Sequence, residues 1–209
     1  MTKKKLSEIS NRSIKLNLMK WIESATDEQV KDGKFWYKDA KEFVEFNSVV
    51  YNIDSYIIAT VVSCLSPNNK WNQNKKDAIA TIVYFKNNPN AKVEDYLKEV
   101  KCSTYFNNRK KAWEALQQGL EIQKTSPKTH SFAMNISRNS AEHITIDKWH
   151  LRACQVSPLS KKRELQEACT ALQYRNIERI TSEVAKIYNL KGYELQAIIW
   201  LTIKTNWER

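Results

Sequence analysis

The stretch that decides the fold runs Lys124-Thr-Ser-Pro-Lys-Thr-His-Ser-Phe-Ala-Met-Asn-Ile-Ser-Arg-Asn-Ser-Ala-Glu-His-Ile-Thr-Ile-Asp-Lys-Trp-His-Leu-Arg-Ala-Cys154. Ser126 followed by Pro127 pairs a capping hydroxyl with a residue suited to the first helical position, which predicts a helix over 127–136. The β-branched run His143-Ile-Thr-Ile-Asp147 does not read as helix and ends in an acid. Asp147 then opens a helix over 148–156, where its carboxylate accepts from first-turn amides and the positive end of the helix dipole favours negative charge. On local grounds Asp147 is an N-cap and Lys128 one lysine among many.

Outward from this stretch the apolar spacing stays helical. Trp113, Leu116 and Leu120 share a face, as do Ile177, Ile180, Val184 and Ile187. Comparable patterns predict helices over 12–25, 35–47, 53–65, 70–87, 93–100, 107–123, 162–171 and 192–206. Ser66-Pro67 is read as a second capped helix start, and Asn88-Pro89 and Ser157-Pro158 as turns. The chain holds three glycines, Gly33, Gly119 and Gly192, where an average chain of this length carries about fourteen. Their isolation excludes a P-loop and a dinucleotide-binding fingerprint, both of which need clustered glycines, and their scarcity disfavours sandwiches and barrels. An all-α fold follows.

Composition narrows the partners. The 209 residues are 42% hydrophobic and 27% charged, which excludes disorder. The longest apolar run, Tyr56 to Leu65, is far short of the ~20 residues of a membrane span. The formal charge of +11 favours a polyanion, nucleic acid first, although a lysine-rich surface also serves solubility. Cys64, Cys102, Cys154 and Cys169 form no C-x-x-C pair, and three histidines complete no zinc site, so no metal or other cofactor is expected. The basic start at Met1 lacks an apolar signal-peptide core, so a cytoplasmic chain is expected.

Lysine at a turn-to-helix junction, an amphipathic helix, a short hydrophobic connection and an Asp opening the next helix resemble the arrangement of helix-hairpin-helix DNA glycosylases of the endonuclease III type. The likeness extends further. The segment from Tyr56 through Ser66-Pro-Asn-Asn-Lys-Trp71 to Ala78 is similar to that superfamily's core helix and DNA-probing loop. Tyr105-Phe-Asn-Asn-Arg-Lys-Lys-Ala112 is similar to its segment before the hairpin, and Leu195-Gln-Ala-Ile-Ile-Trp-Leu201 to its closing helix. Several of these phrases also resemble a bacteriophage-encoded branch. The likeness covers about 50 to 206 and is thin between motifs. It departs where the superfamily carries Gly-hydrophobic-Gly, whose bare amides grip phosphate. Here the stretch is Lys124-Thr125-Ser126, so either these side chains replace the amides or the DNA geometry and substrate differ. The cysteine spacing also excludes an iron-sulfur loop, which parts of the superfamily lack.

The resemblance implies a two-lobed fold with the active site in the interlobe cleft: 50–137 as a helical barrel ending in the hairpin, and 1–49 with 138–209 as a second lobe. It implies excision of a damaged or modified base from double-stranded DNA by a monomer, with abasic-site lyase chemistry as an added capacity. Lys128 is the candidate nucleophile and Asp147 the carboxylate that stabilises the oxocarbenium-like state or activates the incoming nucleophile. Asn68 or Asn69 is the candidate filler of the gap left by the flipped base, with Trp71 as a stacking wall or simply core. Lys124, Thr125 and Ser126, with Arg109, Lys110, Lys111, Lys148 and Arg152, are candidate DNA contacts, each also readable as an ordinary solvated charge. Two alternatives stay open. Phage relatives on the same fold, the putative alpha-glutamyl/putrescinyl thymine pyrophosphorylases, are proposed to modify thymine in DNA rather than excise it, and the charge alone is met by a DNA-binding module without catalysis.

Overall fold

A helix that is apolar all round has to be a core helix, and Ser55–Leu65 is one: every residue from Ile58 to Leu65 is buried. The computed structural model describes residues 5–119, 126–160 and 165–208. Among them the chain is all helical, with a short 3-10 turn at Leu6–Glu8, then α1 (Asn11–Glu23), α2 (Asp27–Tyr51), α3 (Ser55–Leu65), α4 (Trp71–Asn87), α5 (Val93–Glu99), α6 (Phe106–Gln118), α7 (Pro127–Arg138), α8 (Lys148–Gln155), α9 (Ala171–Ile187) and α10 (Gly192–Glu208). The chain divides into two compact units, one of Met1–Asp39 with Asn139–Arg209 and the other Ala40–Arg138. The expected first boundary at 49/50 thus moves into the middle of α2.

In the Ala40–Arg138 unit α3 packs against α4, α6 and α7. Beside it lies an aromatic cluster in which Tyr96 stacks on Trp113 with centroids 4.8 Å apart, and Tyr84 and Phe85 pack against Trp113 at 5.7 Å. Gly119, at φ 60, closes α6 in the left-handed conformation that ends helices at low cost, so α6 stops short of the expected 123. In the other unit α1 packs on α8, α9 and α10 around Leu18, Trp21, Ile177, Ile180 and Ile198. Trp21 Nε1 donates to Val156 O at 2.7 Å and Asn17 Nδ2 to Cys154 O at 2.9 Å, which satisfies carbonyls at the C-terminal end of α8.

Several expected boundaries move for local reasons. α2 starts eight residues before the expected 35, because Thr26 and Gln29 cap each other reciprocally, Gln29 N donating to Thr26 Oγ1 at 3.2 Å and Thr26 N to Gln29 Oε1 at 3.0 Å. Ser66 does not start a helix. It ends α3, with its hydroxyl donating to Ser63 O at 2.9 Å, and Pro67 lies in the turn that follows. Residues 165–170 of the expected 162–171 helix are not helical, and Thr170 caps α9.

Gly33 is required for close approach. A Cβ there would meet Ile198 Cα and N at 2.7 Å, backbone atoms of α10 that have no rotamer with which to yield. Alanine in a helix interior ordinarily gains about 1 kcal/mol over glycine, yet forced overpacking costs about 1–3 kcal/mol. The clash wins, and Gly33→Ala is expected to lower the urea-unfolding free energy by about 2 kcal/mol. An unchanged or raised midpoint would remove this contact from the account.

Candidate functional site

The turn after α3 is built from polar side chains on three neighbouring segments. Asp77, buried on α4, accepts from Asn69 Nδ2 at 2.8 Å, Gln73 Nε2 at 2.7 Å and Ser103 N at 2.8 Å. Asn74 Nδ2 donates to Val62 O at 3.1 Å, Asn108 Nδ2 to Cys64 O at 2.9 Å and Thr104 Oγ1 to Pro67 O at 2.8 Å. The turn is therefore held from both sides, and its tip is Asn68, exposed and at φ 56. Such a backbone is sparsely populated outside glycine, with asparagine the most tolerant exception. Asn68 Nδ2 donates to the Tyr105 hydroxyl. Tyr105 and Phe106 follow each other at the start of α6, 57% and 62% exposed.

This geometry separates the two asparagines. Asn69 is committed to Leu65 O and Asp77, whereas Asn68 stands at the surface. Trp71 is half-buried against Phe43 at 6.1 Å, with Lys75 Nζ 5.5 Å from its ring centroid. Arg109 donates to Leu97 O at 2.6 Å and to Val100 O, and lies over the Tyr96 ring, so it secures the end of α5 from within the unit. Lys110 and Lys111 are exposed, Lys110 in an ion pair with Glu114 at 3.8 Å.

Lys128 is the second residue of α7, half-buried, one position beyond Pro127. Ser126 precedes the helix and its carbonyl accepts from His130 N at 2.9 Å. Lys124 and Thr125 lie outside the described residues. α7 runs on α3, with the Arg138 guanidinium 5.5 Å from the Tyr56 ring centroid.

Asp147 caps α8 as expected locally, Oδ1 accepting from His150 N at 2.8 Å. The segment leading to it is extended and pinned by α9. The Tyr174 hydroxyl donates to Ile144 O at 2.8 Å and accepts from Ile146 N at 3.1 Å, while Glu178 Oε1 accepts from Ile144 N at 3.3 Å. Gly192 at the start of α10 leaves room for Ile144, whose Cδ1 would lie 2.5 Å from an added Cβ. Behind the cap His150 is fully buried, Nε2 at 2.9 Å from Thr181 Oγ1 and Nδ1 without a partner. Burial pushes its pKa down to about 3. Lys148 is exposed beside Trp149. Arg152 lies over Trp149 at 4.4 Å and Trp207 at 5.2 Å and pairs with Glu167, its side chain only 16% exposed, so it braces α8.

A family model described as a family of unknown function, DUF7178, matches residues 1–207. The chain belongs to DUF7178. No curated protein and no solved structure matches it. Among the described residues of this DUF7178 chain no three His, Cys, Asp or Glu side chains group as a metal site, and no helix is long and apolar enough to cross a membrane. Two groups of site residues escaped the sequence reading. Tyr105 and Phe106 had a usable signal, adjacent aromatics opening a polar, basic helix. Tyr174 and Glu178 had none, since their role depends on which helix lies beside residues 144–146.

The buried neutral His150 links stability to pH. Its unfolded-state value is 6.5 and its folded value about 3, so between these limits the unfolded chain binds a proton that the folded one refuses. Its contribution is complete above pH 6.5 and is lost as pH falls towards 3. Between pH 7 and pH 5 this group alone is expected to remove about 2 kcal/mol, and His150→Gln, which keeps a polar partner for Thr181 and does not titrate, is expected to flatten that slope in urea titrations. Parallel slopes for the two proteins would refute the assignment.

Proposed function

We propose that this chain is a DNA N-glycosylase of the helix-hairpin-helix kind with abasic-site lyase activity, acting on a damaged or modified base in double-stranded DNA. The observation that carries the reading is the clamped, extended approach to Asp147, which delivers a carboxylate to the N-terminus of α8 in a fixed orientation. A carboxylate so held suits a reaction whose transition state carries positive charge on the sugar, because preorganised charge requires no rearrangement as the bond breaks. Lys128, near the start of α7, is the nucleophile. Its amine, once deprotonated, attacks C1′ and the base departs with the electrons of the N-glycosidic bond, taking up a proton the amine gives up; the C1′–O4′ bond of the resulting aminal then opens, O4′ taking a proton from solvent, and the protonated Schiff base so formed acidifies the adjacent C2′ for elimination of the 3′ phosphate.

The Asn68 turn supplies the second requirement, a rigid protrusion to occupy the space of an extruded nucleotide. Asn68 and its neighbour Tyr105 are suited to this by exposure and by the hydrogen bonds that hold the turn from beneath. Lys110, Lys111 and Lys148, exposed among a net charge of +11, supply phosphate contacts. Arg152 and Arg109 are left out of this set because their guanidinium groups are engaged within the fold.

Abasic-site duplex incubated with the protein and borohydride is expected to yield a covalent adduct that Lys128→Ala abolishes. Asp147→Asn is expected to lower base release from a susceptible modified duplex by at least ~100-fold while DNA affinity stays within about twofold. Absence of both adduct and base release across a panel of modified duplexes would discard the glycosylase reading in favour of DNA base modification or DNA binding alone.

A further inference from the structure

Along the extended run 144–147 side chains alternate, which places Ile144 and Ile146 on one side and Thr145 and Asp147 on the other. The isoleucines enter the core of their unit. On the opposite side stands Tyr37 of α2, almost wholly buried, whose hydroxyl donates to Gln196 Oε1 of α10 at 2.7 Å and also shares a hydrogen bond with the Thr145 side chain. With the one phenolic proton given to Gln196, the Tyr37 oxygen accepts from Thr145. Its ring is fixed as well, edge-on to Trp36 at 4.8 Å and to Tyr193 at 5.4 Å.

Burial is the main reason that the Tyr37 phenol resists ionisation, opposed by the Thr145 hydrogen bond and reinforced by the negative field of Asp147 and by Tyr174. Tyr37 therefore remains a neutral dipole within reach of the carboxylate's field. A fully buried hydroxyl costs about 1–3 kcal/mol unless its hydrogen bonds are made, and here one is made to Gln196 of α10 and the other to Thr145 of the segment that leads to Asp147.

We propose that Tyr37 is a positioning residue for Asp147, holding Thr145 against Gln196 so that the 145–147 face presents its carboxylate in one orientation. The inference rests on the reading of Asp147 as the reacting carboxylate, and deepens it by assigning α2 and α10 a share in orienting that group. Tyr174 fixes the backbone of the segment and Tyr37 fixes its polar face. Neither bond alone constrains both.

The test compares wild type, Tyr37→Phe, Thr145→Val and Thr145→Ser. The first readout is the pH titration of the Asp147 carboxyl carbon by NMR, which needs no activity. The second is the rate of borohydride-trapped adduct formation on an abasic-site duplex, with duplex affinity measured in parallel. Tyr37→Phe and Thr145→Val are expected to shift the Asp147 titration midpoint and to slow adduct formation by about tenfold or more with affinity within about twofold, while Thr145→Ser restores both. A merely structural tyrosine would lower thermal stability and leave the midpoint unmoved, and an unmoved midpoint in both variants overturns the proposal. If wild type forms no adduct and Asp147→Asn changes no DNA reaction, the glycosylase reading fails separately, and the carboxyl titration still decides the role of Tyr37. Should Tyr37→Phe not fold, Thr145→Val carries the same comparison.

Discussion

The Tyr174 hydroxyl, donating to Ile144 O and accepting from Ile146 N, is the contact on which the Asn139–Arg209 part of the chain depends. An extended segment inside a helical unit has no ladder partner, so its peptide groups must find side chains or be left unpaired at a cost of about 1–3 kcal/mol each. One phenol meets two of those groups and Glu178 a third. With its backbone satisfied in this way the segment can bury both isoleucines and still deliver Asp147 to α8 without a helical or hairpin approach. The backbone path of the segment to α8 is thus set by a side chain nearly thirty residues away on α9.

The same economy appears in the other unit, where one buried carboxylate replaces the absent glycines of a tight turn. Asp77 accepts three donors drawn from the turn, its own helix and the segment before α6. Charge-assisted bonds of this kind are roughly twice as strong as neutral ones, enough to hold Asn68 in a left-handed conformation that otherwise costs about 1–2 kcal/mol. The chain has few glycines because side chains, rather than backbone freedom, shape its turns. Where glycine does appear inside α2, it serves the contact with α10 and not a bend.

Helical class was legible because periodicity and capping report on local structure. Ser126-Pro127 and Asp147 begin helices where those residues suggest, and the β-branched 143–147 run stays out of helix. Ser66-Pro67 shows where local signals run out. The dipeptide suits a helix start, but Ser66 instead closes α3 because Thr104 and Asn108, distant in sequence, hold the turn open. Charge was the least legible feature. Arg109 and Arg152 look like phosphate ligands in the sequence and are instead engaged with carbonyls, aromatic rings and a glutamate. A count of basic residues cannot distinguish a guanidinium aimed at solvent from one that closes a helix.

The thiols share one condition. Burial raises all four above the ordinary cysteine value, Cys64 to about 12 and the fully buried Cys154 further still, and all four are free. Thiolate is the species that alkylating reagents and oxidants attack, so the native cysteines form a quiet background. A cysteine engineered at an exposed position of each unit, such as Leu159 in one and Val49 in the other, would outcompete them for maleimide. Distances between fluorophores placed on the two units could then be followed in solution without first deleting any native sulfur.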